Sequence, residues 1–177
     1  HIQHKLGSDV ALINGMMHVI YKSGWHDPAF IKERTENSEA LIEMIEKYPP
    51  ERVAEITGVP ESIIIEVAEI YAKSKASSIV YCLGITQHST AVDNVKSLAN
   101  LSMFCGQIGR PSTGVNPLRG QNNVQGACDM GALPNVYSGY QAITVPENRK
   151  KFETAWKKEL PGNVGLTIME MLQACSD

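Results

Sequence analysis

The chain of 177 residues is 43% hydrophobic and 20% charged, with a formal net charge of −3. That mix suits a folded globular protein, and an acidic balance with no lysine or arginine cluster excludes a nucleic-acid surface. No apolar run approaches the roughly 20 residues of a membrane span, and the opening His-Ile-Gln-His-Lys has no apolar signal core.

The four cysteines, Cys82, Cys105, Cys128 and Cys175, form no C-x-x-C pair, so no zinc or iron–sulfur site is expected within the chain. Reduced, mostly buried thiols place the protein in the cytoplasm. A start without methionine suggests a piece of a longer polypeptide.

Gly7-Ser8-Asp9 precedes a run in which Val10, Ile13, Met16, Met17 and Ile20 recur at helical spacing. Ser8 or Asp9 can cap that helix, and a glycine turn into a helix N-terminus is also a ready anion or polar-ligand site. The helix should end near Ser23-Gly24. Asp27-Pro28 starts a short second helix, with Asp27 as cap. Residues 38–47 predict a third, with Leu41, Ile42 and Ile45 inward, stopped by Pro49-Pro50. A short fourth covers 51–56 and ends at Gly58. Pro60 opens a fifth over 61–73, with Ile63, Ile64, Val67, Ile70 and Tyr71 on its apolar face and a Glu69–Lys73 pair.

Residues 76–83 read as a strand, short, apolar and covered on both faces. Gly84 ends it and residues 85–88 turn the chain. Thr90 and Asp93 suggest a capping box for the next helix, with Val92, Val95, Leu98, Ala99 and Phe104 buried and Gly106 just past its end. Ligands of α/β folds sit beyond the carboxyl ends of strands, so Leu83, Gly84 and Gln87 would rim a crevice. One buried strand cannot satisfy its own backbone. Either further strands are hidden in the pattern or the rest of the sheet lies in sequence outside this stretch.

Residues 114–131 show almost no periodicity, yet hold four glycines, one proline and three asparagines. An irregular loop of that length is a functional candidate. Its one cation is Arg119, whose planar fork suits a small anion, and Gln121, Asn122, Asn123 and Gln125 offer paired donors and acceptors. Arg110, at the loop entry, reads as a solvated or carboxylate-paired surface residue. Pro146 then opens a helix over 147–160, with Phe152, Ala155, Trp156 and Leu160 inward, and residues 164–172 suggest one more. His18 reads as a packed histidine, while His88 sits in the ligand-facing turn. Hydrolase, zincin and P-loop signatures are missing from the sequence.

Asn-Pro-Leu-Arg-Gly-Gln-Asn-Asn-Val-Gln-Gly-Ala-Cys-Asp-Met-Gly-Ala-Leu-Pro, at 116–134, resembles the active-site loop of formate dehydrogenase catalytic subunits of the molybdopterin oxidoreductase family. The resemblance runs over 7–165 and is strongest over 83–87 and 106–134. It implies a helix-rich part of a Rossmann-like αβα domain whose sheet is incomplete here. It divides the chain into a cofactor-binding part, 1–134, with the loop at 106–134, and a helical continuation, 135–177. It implies oxidation of formate to carbon dioxide at molybdenum or tungsten held by two molybdopterin guanine dinucleotides. Arg119 would be catalytic, orienting formate, and Gly7, Asp9, Leu83, Gly84, Gln87, Arg119 and Gln121 would contact the cofactor. The metal-ligating cysteine or selenocysteine, its partner histidine and a 4Fe-4S motif precede Gly7 in the family, so this stretch by itself would be inactive. Electron-transfer subunits of a formate dehydrogenase or formate–hydrogen complex are the implied partners. Two alternatives are another family member, such as a nitrate reductase, which lacks this arginine, and a scaffold module without the chemistry.

Overall fold

A spacing of 3.6 residues between apolar positions dominates the first hundred residues, and helices follow it. The computed structural model describes residues 1–176. Its elements are α1 (Asp9–Lys22), α2 (Pro28–Arg34), α3 (Ser38–Ile45), α4 (Pro50–Thr57), α5 (Glu61–Lys73), β1 (Ser78–Tyr81), α6 (Leu83–Thr86), α7 (Ala91–Phe104), β2 (Gly114–Pro117), α8 (Val124–Asp129), β3 (Val136–Tyr137), β4 (Gln141–Ala142), α9 (Pro146–Trp156) and α10 (Ile168–Ala174). The fold is a helix-rich α/β arrangement with two small sheets.

Two compact units form, His1–Leu118 and a second beginning at Arg119. That boundary precedes the 134/135 division expected from sequence. The second half of the loop coils into α8 and ties to the β3–β4 hairpin: Gly139 N–H donates to the Asp129 carbonyl at 2.7 Å, and Ser138 Oγ to Met130 at 3.0 Å.

In the first unit α1 is the central helix, packed against α3, α4, α5 and α7. Met17 and Ile20 are sealed from solvent, as are Ile45 of α3, Val53 of α4 and Ile64 of α5. Each such side chain contributes about 1.5–3 kcal/mol by leaving water. The approach of α4 depends on Gly15, where an added Cβ would lie 2.8 Å from Val53 Cγ2. The Asp27 cap forms as expected, its carboxylate accepting from Phe30 N–H at 2.9 Å. Ser8 and Thr90 do not cap through their side chains; Ser8 Oγ donates backward to the Lys5 carbonyl instead.

The apolar faces of two helices differ from expectation. On α5, Ile70 is 60% exposed while Ile64 and Ala68 fill the core. On α7, Val92 is 65% exposed, and the buried face is Asn94, Ser97, Leu98, Leu101, Ser102 and Phe104. Polar residues enter that face because each has a backbone partner. Asn94 Nδ2 donates to Ile85 O at 2.9 Å, Ser97 Oγ to Asp93 O and Ser102 Oγ to Gln107 O, both at 2.7 Å.

The strand is shorter than the predicted 76–83, and exposed and half-buried residues alternate along it, so it is not covered on both faces. Its missing partner lies at the head of the supposedly irregular loop. β2 pairs parallel with β1, Ser78 opposite Gly114 through Tyr81 opposite Pro117. Leu118 N–H extends the ladder to Tyr81 O at 2.8 Å, and Asn116 Nδ2 reaches Ser78 Oγ at 2.7 Å. Parallel pairing requires a crossover, supplied by α6 and α7.

Gln107, 2% exposed, pins this crossover. Its Oε1 accepts from Ser77 N–H at 3.0 Å and from Arg110 Nη2 at 2.7 Å, and its Nε2 donates to Ser74 O at 2.9 Å. Arg110 is exposed, as expected of a surface residue, and among the described residues its partners are an amide and carbonyls rather than a carboxylate: it also binds the carbonyls of Gly106 and Lys75.

The second unit has its own small core of Tyr137, Ile143 and Phe152, with Leu160 against it. Tyr137 and Phe152 lie 4.9 Å apart between ring centroids. α9 stops at Trp156, short of the predicted 160, because Lys157 turns left-handed at φ +53°. Ala155 is exposed, and Trp156, 52% exposed, still packs its ring on Phe152 at 5.0 Å between centroids. A capping box between Thr167 and Glu170 sets the start of α10.

Candidate active-site loop and cofactor-facing turns

The residues singled out in the sequence divide between the units. Gly7, Asp9, Leu83, Gly84 and Gln87 belong to the first, and Arg119 and Gln121 to the second.

At the head of α1, Gly7 takes a left-handed turn at φ +76° with open space where a side chain would be. That turn feeds Ser8 and Asp9 into the helix as buried residues, 6% and 7% exposed. Asp9 Oδ1 lies 3.6 Å from His4 Nε2. His4 is held in turn by its Nδ1 against Ser8 Oγ and the Lys5 carbonyl, both at 3.0 Å. Asp9 Oδ2 is sealed from solvent and has no partner among the described residues. An unpaired buried carboxylate oxygen costs on the order of 1–3 kcal/mol or more, which a ligand N–H donor would relieve.

Leu83, Gly84 and Gln87 follow the carboxyl end of β1, where one turn of helix, α6, replaces the expected simple turn. Leu83 is 48% exposed, Gly84 and Gln87 are exposed, and Gly84 has no neighbour where a Cβ would stand. Backbone at this turn is therefore open to a close-fitting ligand. His88 is half-buried, and its Nε2 meets the Gly84 carbonyl at 2.9 Å and clamps the turn. His18 packs as expected, with Nδ1 against the Ile45 carbonyl at 2.9 Å.

Arg119 is exposed, and its Nη2 donates to Gln125 Oε1 at 2.8 Å. Among the described residues no carboxylate pairs with it. Gln125 Nε2 donates to Asp129 Oδ1 at 2.9 Å and to Tyr140 Oη at 3.1 Å. Partial desolvation, then the neighbouring Asp129, raises the Tyr140 phenol above its ordinary range, although the ring is 50% exposed. Gln121 is exposed on the same loop. Sequence reasoning listed Gln125 only as one amide among several and missed Asp129 and Tyr140. The spacing of 125 and 129 places both on one helical face, but that signal is invisible while the run reads as a loop.

Cys105 is buried, and burial, then Asp27, raises its thiol to about 12. Among the described residues no group of three or more His, Cys, Asp or Glu side chains is placed to hold a metal ion, and no helix is long and apolar enough to cross a membrane.

The first unit carries an open glycine turn beyond the end of β1, and the second carries an arginine-bearing loop rich in amides. The family model for molybdopterin oxidoreductases matches residues 1–174, and the chain belongs to that family, which implies a molybdopterin cofactor. It is 56% identical over 166 residues to the F420-dependent formate dehydrogenase subunit alpha of Methanocaldococcus jannaschii, covering 94% of this chain and 24% of that one. It is 49% identical over 172 residues to formate dehydrogenase H of Escherichia coli K12, covering 97% of this chain and 24% of that one. The acetylene hydratase of Pelobacter acetylenicus superposes with a TM-score of 0.60 at 25% identity, over 63% of this chain and 15% of the hydratase. The chain spans about a quarter of the length of the curated relatives it matches.

Proposed function

We propose that this chain is the part of a formate dehydrogenase catalytic subunit that presents Arg119 to formate and oxidises it, with the rest of the subunit, to carbon dioxide. The carrying observation is the state of Arg119: exposed, held through one nitrogen by a neutral amide, with no carboxylate against it among the described residues. A guanidinium so held keeps its charge and its remaining N–H groups for a carboxylate, and two parallel N–H···O bonds fix both oxygens. Formate bound this way has its negative charge neutralised and its C–H bond as the unbound end. Two electrons and the C–H proton must leave it, and a bound metallopterin supplies the electron acceptor.

The residues of the first unit fit such a group. Asp9 Oδ2, buried and without a partner among the described residues, suits the N–H edge of a guanine, which supports the guanine dinucleotide form. Gly7 and Gly84 are open where a Cβ would stand, so a cofactor can lie against their backbone, with Leu83 and Gln87 beside Gly84; in the second unit, Gln121 is proposed as a further cofactor contact next to Arg119. The parallel β1–β2 pair with its helical crossover supports a Rossmann-like αβα domain in the first unit. Molybdenum or tungsten, the cysteine or selenocysteine ligand, a 4Fe-4S cluster and electron-transfer subunits belong to the same reading, and the cytoplasm is its compartment. The relatives' names support formate over nitrate as substrate.

Arg119→Ala in the intact enzyme tests it. Formate turnover should fall on the order of 100-fold or more, with metal and pterin content near normal. Turnover that stays unchanged refutes the assignment.

A further inference from the structure

We infer that Gln125 is the positioning residue for Arg119, and that an amide rather than a carboxylate stands there so that the guanidinium keeps its whole charge for the substrate anion. This rests on the assignment of Arg119 to formate and deepens it.

Three hydrogen bonds fix the Gln125 amide. Oε1 accepts from Arg119 Nη2 at 2.8 Å, and Nε2 donates to Asp129 Oδ1 at 2.9 Å and to Tyr140 Oη at 3.1 Å. Both Nε2 protons are thereby directed at oxygen acceptors. Turning the amide over would set Oε1 against the Asp129 carboxylate and an N–H against the guanidinium, so only one orientation is favourable. Asp129 thus sets the direction of the amide without itself pairing with Arg119.

The backbone holds these groups in place. Gln125 and Asp129 are four residues apart on α8, which brings both side chains to one face. The hairpin delivers Tyr140 from a left-handed position at φ +57° and is bonded to the end of α8 through Gly139 and Ser138. A carboxylate at position 125 would satisfy Arg119 equally well in geometry. It would also cancel the charge that formate needs and would face Asp129 as a like charge. The amide supplies the hold without that competition.

The test uses the intact enzyme with three variants. Gln125→Glu should raise the KM for formate on the order of fivefold, the cost of a competing exposed ion pair, while kcat stays within about twofold. The excess KM should shrink as pH is lowered toward the ordinary Glu range near ~4.3, a dependence that a purely structural role would not produce. Gln125→Met removes all three bonds without adding charge and should raise KM on the order of threefold, the loss of one modest hydrogen bond at Arg119. As a readout other than turnover, phenylglyoxal labelling of Arg119 followed by mass spectrometry should show formate protecting the native enzyme well and the Glu variant poorly. Equal defects in the Glu and Met variants, or no pH dependence, overturn the charge argument. A Glu variant with unchanged KM and protection overturns the inference while Arg119→Ala still abolishes turnover. If Arg119→Ala leaves KM and turnover unchanged, the formate assignment falls and this inference with it.

Discussion

Replacing Gln107 by Ala should loosen the crossover that carries the Leu83–Gln87 turn. The side chain is 2% exposed and makes three hydrogen bonds: from Ser77 N–H, from Arg110 Nη2 and to Ser74 O. Each is worth about 1 kcal/mol net. Truncation also leaves the Ser77 and Ser74 backbone groups facing a void that the alanine cannot fill. The expected loss is about 2–4 kcal/mol. Urea unfolding should show a lower midpoint with an unchanged slope. Hydrogen exchange at the Ser77 amide should lose protection first, because its acceptor is gone. Arg110→Ala, which removes one of the three bonds and leaves the Ser74 and Ser77 pairings, should lose less. A Gln107→Ala loss below about 0.5 kcal/mol with Ser77 still protected would show that water replaces the side chain, and the pinning role would fail.

Other outcomes follow from single features. Gly131 sits at φ +87°, and an added Cβ would stand 2.8 Å from Ser138 N and 2.9 Å from Tyr137 C. Gly131→Ala should therefore cost about 2–4 kcal/mol, read as a lowered unfolding midpoint of the second unit. Cys105 is buried with its thiol raised to about 12, while Cys175 is exposed. Iodoacetamide at pH 8 should label Cys175 and leave Cys105 untouched in a peptide map of the native protein. Glu153 is held below the ordinary carboxylate value of 4.5 first by Leu160 N–H and then by the Arg149 guanidinium. A depressed folded-state value gives stability that is present above 4.5 and fades as pH falls through the lower folded value. Glu153→Gln should accordingly flatten the acid limb of the stability profile and leave the region above pH 6 nearly parallel to the parent.

Helices were legible where apolar spacing and punctuation agreed. Asp27-Pro28, Pro60 and Gly58 mark real ends of α2, α5 and α4. The buried face of α7 was not legible, because Asn94, Ser97 and Ser102 enter the core only by virtue of carbonyls at Ile85, Asp93 and Gln107. Apolar spacing carries no sign of these carbonyl partners, although each lies within nine residues in the chain. β2 escaped notice for a related reason: Gly-Val-Asn-Pro offers one apolar side chain, and its strand character comes from the register with β1. The importance of Arg119 was visible in composition. Its neutral partner was not, since the pairing exists only once residues 124–129 coil.

The placement of α1 bears on how the chain reaches its native state. Among the described residues, the helices packed against α1 all follow it in the chain, and α7, which closes one of its sides, arrives some seventy residues later. Until then Met17 and Ile20, sealed in the finished molecule, are available to any sticky neighbour. Growth at about 5–20 residues per second leaves that surface bare for several seconds. Early docking of α3, α4 and α5 is thus a safeguard against aggregation as well as a step toward the active fold.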